Sequence, residues 1–126
     1  GRMINPLLVK GQMHGGIAQG LGQVIGEYIR YDGEGQLVTA SFQDYYMPRA
    51  EHMPRIVVEG NQVPATTNTL GIKGAGEAGT VGALPAAMNA INHALAPLGV
   101  RHFEMPASPD RLWAAINSHR DSTFAG

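Results

Sequence analysis

The sequence predicts an α+β fold, in which a mixed sheet of short strands packs against two to three helices. Two stretches place apolar residues at helical spacing, and several short apolar runs bounded by turn residues are typical of strands. The chain has 126 residues, a length that suits one domain. Its hydrophobic content of 44% and charged content of 15% are those of a globular protein with few surface charges.

The chain opens with a short predicted strand, residues 3–9, in which Pro6 favours an edge or irregular position. A helix follows, because apolar residues recur at i, i+4, i+7, i+8 and i+11. These residues are Ile17, Leu21, Val24, Ile25 and Tyr28. Several glycines lie in the same stretch, and each interior glycine costs about 1 kcal/mol relative to alanine. Glycines at this density indicate that another backbone, or a ligand, approaches closely.

Two more strands are predicted in the middle of the chain, at residues 36–42 and 56–59. The first follows turn residues Asp32 and Gly33 and alternates in polarity. The intervening segments, 43–55 and 60–70, carry prolines and polar residues, which indicate loops.

A second helix is predicted beyond residue 80, and its core positions by period are Val81, Leu84, Met88, Ile91 and Leu95. Pro85 is expected in the first turn, where its missing N–H group does no harm. Pro97 and Gly99 are expected to end this helix. A short strand at 100–106 follows.

A last helix is predicted to run through Trp113 and Ile116. Ser108 fits its N-cap and Pro109 its first position. Residues 118–126 are predicted to form a polar tail.

Composition excludes several classes of function. The formal net charge of −1 provides no basic surface for nucleic acid or an anionic membrane, and no apolar run approaches the ~20 residues of a membrane span. The absence of cysteine excludes disulfides, thiolate metal sites and iron–sulfur clusters held by this chain. The five histidines show no paired spacing for zinc. We therefore expect a cytoplasmic protein with no metal ligands of its own, no nucleic-acid partner and no membrane span.

A glycine-rich loop, GIKGAGEAGTVGALP at residues 71–85, is the main candidate site. Gly74, Gly76 and Gly79 match the G-x-G-x-x-G pattern of dinucleotide-binding loops. The match is disfavoured because a poor strand precedes it, because no acidic residue follows about 20 positions on, and because Glu77 would repel a pyrophosphate. A P-loop is disfavoured because Thr80, rather than lysine, follows the last glycine.

The carboxylate of Glu77 has two interpretations. Its charge can stabilise the N-terminus of the following helix, which requires no further function. It can also act as a general base, since the small residues Gly76, Ala78 and Gly79 leave space for a reacting group and partial desolvation would increase its basicity. Lys73 either opposes that increase or binds an anion.

Three segments, in this order, resemble the large, molybdenum-binding subunit of the xanthine oxidase family of molybdenum hydroxylases. They are GQMHGGIAQGLGQ at 11–23, SFQDYYMPRA at 41–50 and LGIKGAGEAGTVGALPA at 70–86. The resemblance looks closest to the bacterial three-subunit branch, which includes carbon monoxide dehydrogenase-like enzymes and aldehyde or purine hydroxylases. It implies that residues 1–117 are the C-terminal portion of a molybdopterin-binding domain. The chain is then a fragment of a longer subunit, as its opening without initiator Met or signal peptide also suggests.

The resemblance implies a role for each candidate residue. Glu77 would be the general base that deprotonates the hydroxide ligand of molybdenum, which attacks an electrophilic carbon while hydride passes to the sulfido group. The implied cofactor-binding residues are Gln12, Gly15, Gly16, Lys73, Gly74, Ala75 and Gly76. Among these, Gln12 would lie against the pterin. His14 is expected to be structural.

The implied cofactor is molybdopterin with molybdenum, in the cytosine dinucleotide form. The implied reaction oxidises an aldehyde, an N-heterocycle or carbon monoxide with oxygen from water. The implied partners are the remainder of the molybdenum subunit, chains or domains that carry iron–sulfur centres and FAD, and a small-molecule substrate, within an oligomer. Alone, the fragment is expected to be inactive. The alternative is a non-catalytic assembly or anion-binding module in which Glu77 only caps a helix, and a dinucleotide-binding loop is less favoured.

Overall fold

The computed structural model describes residues 1–123, which form three helices joined by long irregular segments. The helices are α1 (Pro6–Ile25), α2 (Ala78–Leu95) and α3 (Pro109–Thr123). Two short 3-10 helices, Ala50–His52 and Ala96–Leu98, lie between them. The end of the predicted polar tail, residues 124–126, lies outside the described residues. None of the helices described is long and apolar enough to cross a lipid bilayer.

The predicted α+β class is wrong. Residues 1–123 contain no strand, and the sheet-like pairing among them is limited to an isolated antiparallel bridge between Tyr31 and Leu37. The predicted strands at 36–42, 56–59 and 100–106 are irregular segments. A strand requires a neighbour that pairs its backbone N–H and C=O groups over several residues. The run at 36–42 has only the single bridge to Tyr31, and the runs at 56–59 and 100–106 have no such neighbour within the described chain. Alternating polarity alone therefore did not specify a sheet.

The first predicted strand is also wrong, because residues 6–9 form the first turn of α1 and residues 3–5 only lead into it. Asn5 is the N-cap, and its Oδ1 atom accepts a hydrogen bond from the N–H group of Leu8 at 3.1 Å. Pro6 occupies the first helical position. Asparagine followed by proline is a helix-start signal, and here it outweighs the short apolar run.

Helices α1 and α2 pack through small residues with their backbones in contact. A Cβ atom built on Gly79 would lie 2.6 Å from the carbonyl oxygen of Met13, and one built on Gly16 would lie 3.0 Å from the backbone nitrogen of Thr80. The close approach that the glycines predicted is therefore made by the backbone of α2. We call the facing residues Gly16, Gly20, Gly79 and Ala83 the small-residue seam.

A small apolar core lies beyond the seam. Its buried members are Val24, Leu95, Val100, Phe103 and Ala107, and the partly buried α2 residues Leu84, Met88 and Ile91 pack against them. The predicted core face of α2 is thus confirmed except at Val81, whose side chain is 70% exposed. Val81 lies two residues from both Gly79 and Ala83, which places it about 200° around the helix from the seam.

Hydrogen bonds of the Asn92 side chain connect the end of α2 to this core. Asn92 Oδ1 accepts a hydrogen bond from the Phe103 N–H group at 2.8 Å, and its Nδ2 atom donates to the Met88 carbonyl at 2.9 Å. Gly99, with φ +88°, follows the 3-10 turn that ends the helix, as predicted from its sequence.

One of the two predicted helix starts is confirmed and the other is wrong. Pro109 begins α3, as predicted, and Ser108 precedes it. By contrast, Pro85 lies inside α2 rather than in its first turn, because the helix begins earlier, at Ala78. The helix continues past this proline although a backbone hydrogen bond is lost there.

Candidate functional site

The loop formed by residues 71–77 leads into α2 and is fixed at its base. Gly71 has a left-handed backbone, with φ +66°, and its carbonyl oxygen accepts hydrogen bonds from the N–H groups of Arg2 at 2.7 Å and Ala65 at 3.0 Å. The side chain of Asn68 bonds both backbone groups of Ile72, each at 3.0 Å. The loop therefore starts from a defined position beside the N-terminal segment.

The next part of the loop presents free backbone donors. Within residues 1–123, the N–H groups of residues 73–76 make no hydrogen bond to the rest of the chain. A Cβ atom built on Gly74 would have no neighbour within 4 Å, so the described chain leaves open space at this residue. Consecutive unpaired N–H groups in a loop that leads into a helix can donate to a ligand that carries acceptor atoms.

Glu77 occupies the N-cap position of α2, with φ −106° and ψ 0°. Its carbonyl oxygen accepts a hydrogen bond from Val81 N–H at 3.2 Å. Its side chain is exposed and makes no capping hydrogen bond. The negative charge still lies at the positive end of the helix, where it is favourable. The carboxylate oxygens nevertheless remain available to accept a proton or to bind a donor.

Gln12 of α1 faces this loop. Its Nε2 atom lies 3.7 Å from the position of a Cβ atom built on Gly76, and it is the neighbour found within 4 Å there. The contact follows from the small-residue seam, because Gln12 lies one turn before Gly16 on α1 and Gly76 lies three residues before Gly79. Two segments far apart in sequence thus bring an amide side chain against the glycine loop.

Two adjoining clefts, of about 370 and 390 Å³, border the loop. Lys73 and Ala75 line both, Gly74 lines the first, and Gln12 and Gly76 line the second. Five of the seven predicted cofactor-binding residues are therefore brought together.

The remaining two, Gly15 and Gly16, are placed differently. Gly16 is buried in the small-residue seam and faces α2. Gly15 lines a separate cleft with His14 and Arg49. The Nε2 atom of His14 is buried and has no hydrogen-bond partner among the described residues.

Several residues of the two clefts were not predicted from the sequence. Arg2, Asn5, Leu8 and Val9 line them at the start of α1. Leu8 and Val9 precede Gln12 by four and three residues, so a helix assigned over this segment would have placed all three on one face. The helix start at Asn5–Pro6 was the signal that could have revealed them.

The charges around the first cleft are mostly positive. Arg2, Lys10 and Lys73 line it, together with Glu59. This arrangement favours an anionic group on a bound molecule. Across the described part of the chain, no three histidine, aspartate or glutamate side chains cluster in a way that could hold a metal ion.

Comparison with known proteins gives consistent matches. Residues 1–54 match a family described as molybdopterin cofactor-binding domain. The chain is 39% identical over 112 residues to the nicotine 6-hydroxylase large subunit of Paenarthrobacter nicotinovorans. It is 38% identical over 113 residues to the carbon monoxide dehydrogenase large chain of Afipia carboxidovorans. These alignments cover 89% and 90% of this chain, and 14% of each relative.

Solved structures extend the similarity to the fold. A Cu,Mo-CO dehydrogenase matches 95% of this chain with a TM-score of 0.89 and 36% identity. Quinoline 2-oxidoreductase from Pseudomonas putida 86 matches 93% of it with a TM-score of 0.87 and 41% identity. This chain covers 15% of each of those chains. The helices and irregular segments described above therefore reproduce the fold of the corresponding part of these proteins.

Proposed function

Because this chain belongs to the xanthine oxidase family of molybdenum-dependent oxidoreductases, we propose that it forms part of the active site of a molybdenum hydroxylase. The proposed reaction oxidises an aldehyde, an N-heterocycle or carbon monoxide with an oxygen atom from water, and Glu77 is its general base. One observation carries the proposal: a carboxylate without a capping bond follows a donor-lined loop that faces Gln12.

The residues of the two clefts fit molybdopterin. The pterin and its phosphate carry many acceptor atoms, which match the unpaired N–H groups of residues 73–76. The Gln12 amide can donate and accept, as the edge of a pterin ring requires. Arg2, Lys10 and Lys73 suit the additional phosphate of a cytosine dinucleotide form. Gly15 lies outside these clefts, and Gly16 contributes by holding α1 against α2.

The chemical roles divide between cofactor and chain. When bound, the molybdenum cofactor supplies the two-electron oxidation of the substrate. The chain holds the cofactor through Gln12 and residues 73–76, and it takes up a proton at a carboxylate oxygen of Glu77. A general base needs a free lone pair within hydrogen-bond reach of the proton, and the exposed Glu77 side chain has no capping bond that occupies it.

We further propose that other protein completes the site. Glu77 is exposed and both clefts are open, whereas charged groups in catalysis act most strongly where water is excluded. The chain spans about a seventh of the length of the relatives it matches. The remainder of a large subunit would cover the clefts, and partner chains or domains with iron–sulfur centres and FAD would carry electrons away. Such an oligomer would act in the cytoplasm, and this chain alone would be inactive.

The position of Glu77 at the N-cap of α2 favours one alternative, a non-catalytic assembly or anion-binding module. In that case the charge only stabilises the helix, and Arg2, Lys10 and Lys73 bind an anion. A dinucleotide-binding loop is less favoured, because residues 60–70 before the loop form no strand and that fold requires one there.

Replacement of Glu77 in the complete enzyme tests the proposal. Glu77→Gln keeps the shape of the side chain and removes its basicity, so turnover per bound molybdenum should fall at least ~100-fold with cofactor content unchanged. Glu104→Gln is the matched control, since that carboxylate is 76% exposed and pairs with His102, away from the loop. Glu77→Gln turnover within a few-fold of the unmodified enzyme would instead support the helix-capping module.

A further inference from the structure

Thr80 makes a polar bond across the small-residue seam. Its Oγ1 atom donates to the carbonyl oxygen of Gly16 at 3.0 Å, from a partly buried position. In the described chain, this is the one hydrogen bond found directly between α1 and α2. Thr80 is the third residue of α2, three positions after Glu77.

The small-residue seam by itself constrains the sliding of the two helices weakly. Helices usually fix their relative position by interdigitating side chains as ridges and grooves. Within the seam the facing positions are glycines and one alanine, so side chains of the two helices interlock only beyond it, where Val24 and Leu84 join the apolar core. A directional hydrogen bond from a short, β-branched side chain supplies the missing constraint, because its length and angle tolerate little displacement.

The bond lies next to the residues that the proposed reaction needs. Gln12 precedes Gly16 by about one turn of α1, and Glu77 precedes Thr80 by about one turn of α2. Any slide or rotation of the helix pair would therefore move the Glu77 carboxylate relative to Gln12. The hydrogen bond between Thr80 and Gly16 constrains that relationship about one helical turn from each of these two residues.

We propose that Thr80 is a positioning residue, whose hydroxyl sets the register of α2 on α1 and so places Glu77 relative to the cofactor held by Gln12. This inference rests on the function proposed above. Thr80 itself touches neither substrate nor cofactor in the proposal. Its effect passes through the backbone of α2 to Glu77.

The test compares Thr80→Val and Thr80→Ser in the complete, cofactor-loaded enzyme. Valine keeps the shape but lacks the donor, so turnover per bound molybdenum should fall about 10-fold, since displacements near 1 Å can lower rates by larger factors. Molybdenum content and KM should stay unchanged. Serine keeps the hydroxyl and should restore turnover to within about 2-fold of the unmodified enzyme. Equal turnover per molybdenum in the valine variant overturns the proposal.

A stability control separates positioning from folding. Asn92→Ala removes the hydrogen bonds to Phe103 and Met88 at the other end of α2. It should lower the yield of folded enzyme while leaving turnover per molybdenum unchanged. If Thr80→Val behaves in the same way, its role is structural only and the proposal fails.

A double variant tests whether Thr80 acts through Glu77. If it does, Thr80→Val should produce no further loss of turnover in a Glu77→Gln enzyme. The same loss in both backgrounds overturns the proposal. A Glu77→Gln enzyme with full turnover rejects the proposed base and the positioning role together. If turnover falls in the Glu77→Gln enzyme but not in the Thr80→Val enzyme, the positioning role alone is rejected.

Discussion

The Tyr45 hydroxyl donates a 3.0 Å hydrogen bond to Oε2 of Glu27, just beyond the C-terminal end of α1. The other carboxylate oxygen of Glu27 lies 2.6 Å from the position of a Cβ atom built on Gly22. The bond therefore ties the irregular segment after residue 43 to the end of the helix. Desolvation, followed by the hydrogen bond to Glu27 and its negative charge, raises the pKa of Tyr45 above its ordinary value.

We expect Tyr45→Phe to weaken the fold by about 1 kcal/mol, the usual net value of such a bond. A raised folded-state pKa means that the contribution is complete below the ordinary tyrosine pKa and is lost as pH rises through the higher folded value. Denaturant titrations of the 126-residue chain at pH 8 and above pH 10 should show that the variant loses less stability between these pH values than the unmodified chain does. An identical pH dependence in both proteins would contradict this.

Gly79→Ala should destabilise the helix pair by about 1–3 kcal/mol, the usual range for overpacking. The added methyl group would lie 2.6 Å from the Met13 carbonyl oxygen, a backbone atom that cannot turn away. Gly82→Ala is the matched control, since its methyl group would meet nothing within 4 Å and alanine favours a helix by about 1 kcal/mol. Thermal unfolding should move in opposite directions for the two variants.

Gln12→Leu should reduce the molybdenum content of the complete enzyme while leaving the amount of folded protein unchanged. The Gln12 side chain is exposed in this chain and lies against Gly76, so the fold does not depend on it. Gln19→Leu is the control, because it makes the same change at another exposed position of α1. Metal analysis after gel filtration measures the effect, and equal molybdenum in both variants would remove Gln12 from the cofactor site.

The isolated 126-residue chain should self-associate at micromolar concentration. Leu7 and Leu8 are 78% and 65% exposed on the first turns of α1, next to Ile4 at 64%. Contiguous exposed apolar side chains favour association. Sedimentation velocity should show a concentration-dependent shift that Leu7→Gln combined with Leu8→Gln reduces. A monomeric unmodified chain across that range would refute the expectation.

The helices were predicted from the sequence more accurately than the strands, none of which is found in residues 1–123. Spacing placed Leu84, Met88 and Ile91 on the core face of α2, and Ser108–Pro109 marked the start of α3, because these signals depend on residues a few positions apart. The runs at 36–42 and 56–59 depended on partners elsewhere, which polarity within a run cannot supply. Val81 was misassigned to the core. The spacing of apolar residues identifies one face of a helix, but it does not show that α2 contacts α1 through Gly79 and Ala83 instead.

The candidate site was predictable in its residues but not in its construction. Glu77 and Gln12 were found through motifs, and their proposed roles remain predictions. In the sequence, Thr80 was noted only as a departure from a P-loop, because its contact with the distant Gly16 cannot be predicted from neighbouring residues. Arg2 and Asn5 were hidden by the strand assigned over the start of α1.

The bond between Thr80 and Gly16 joins residues 64 positions apart, and this separation has a consequence for how the chain folds. Closing a flexible loop of that length costs about 4 kcal/mol of chain entropy from length alone. Neither half of the site can assemble from its neighbours in sequence, so Gln12 and the glycine loop come together only after this closure. Contacts of such long range slow folding, so the hydrogen-bonded N–H groups of α1 and α2 beside the small-residue seam should be among the last to acquire protection from hydrogen exchange during refolding.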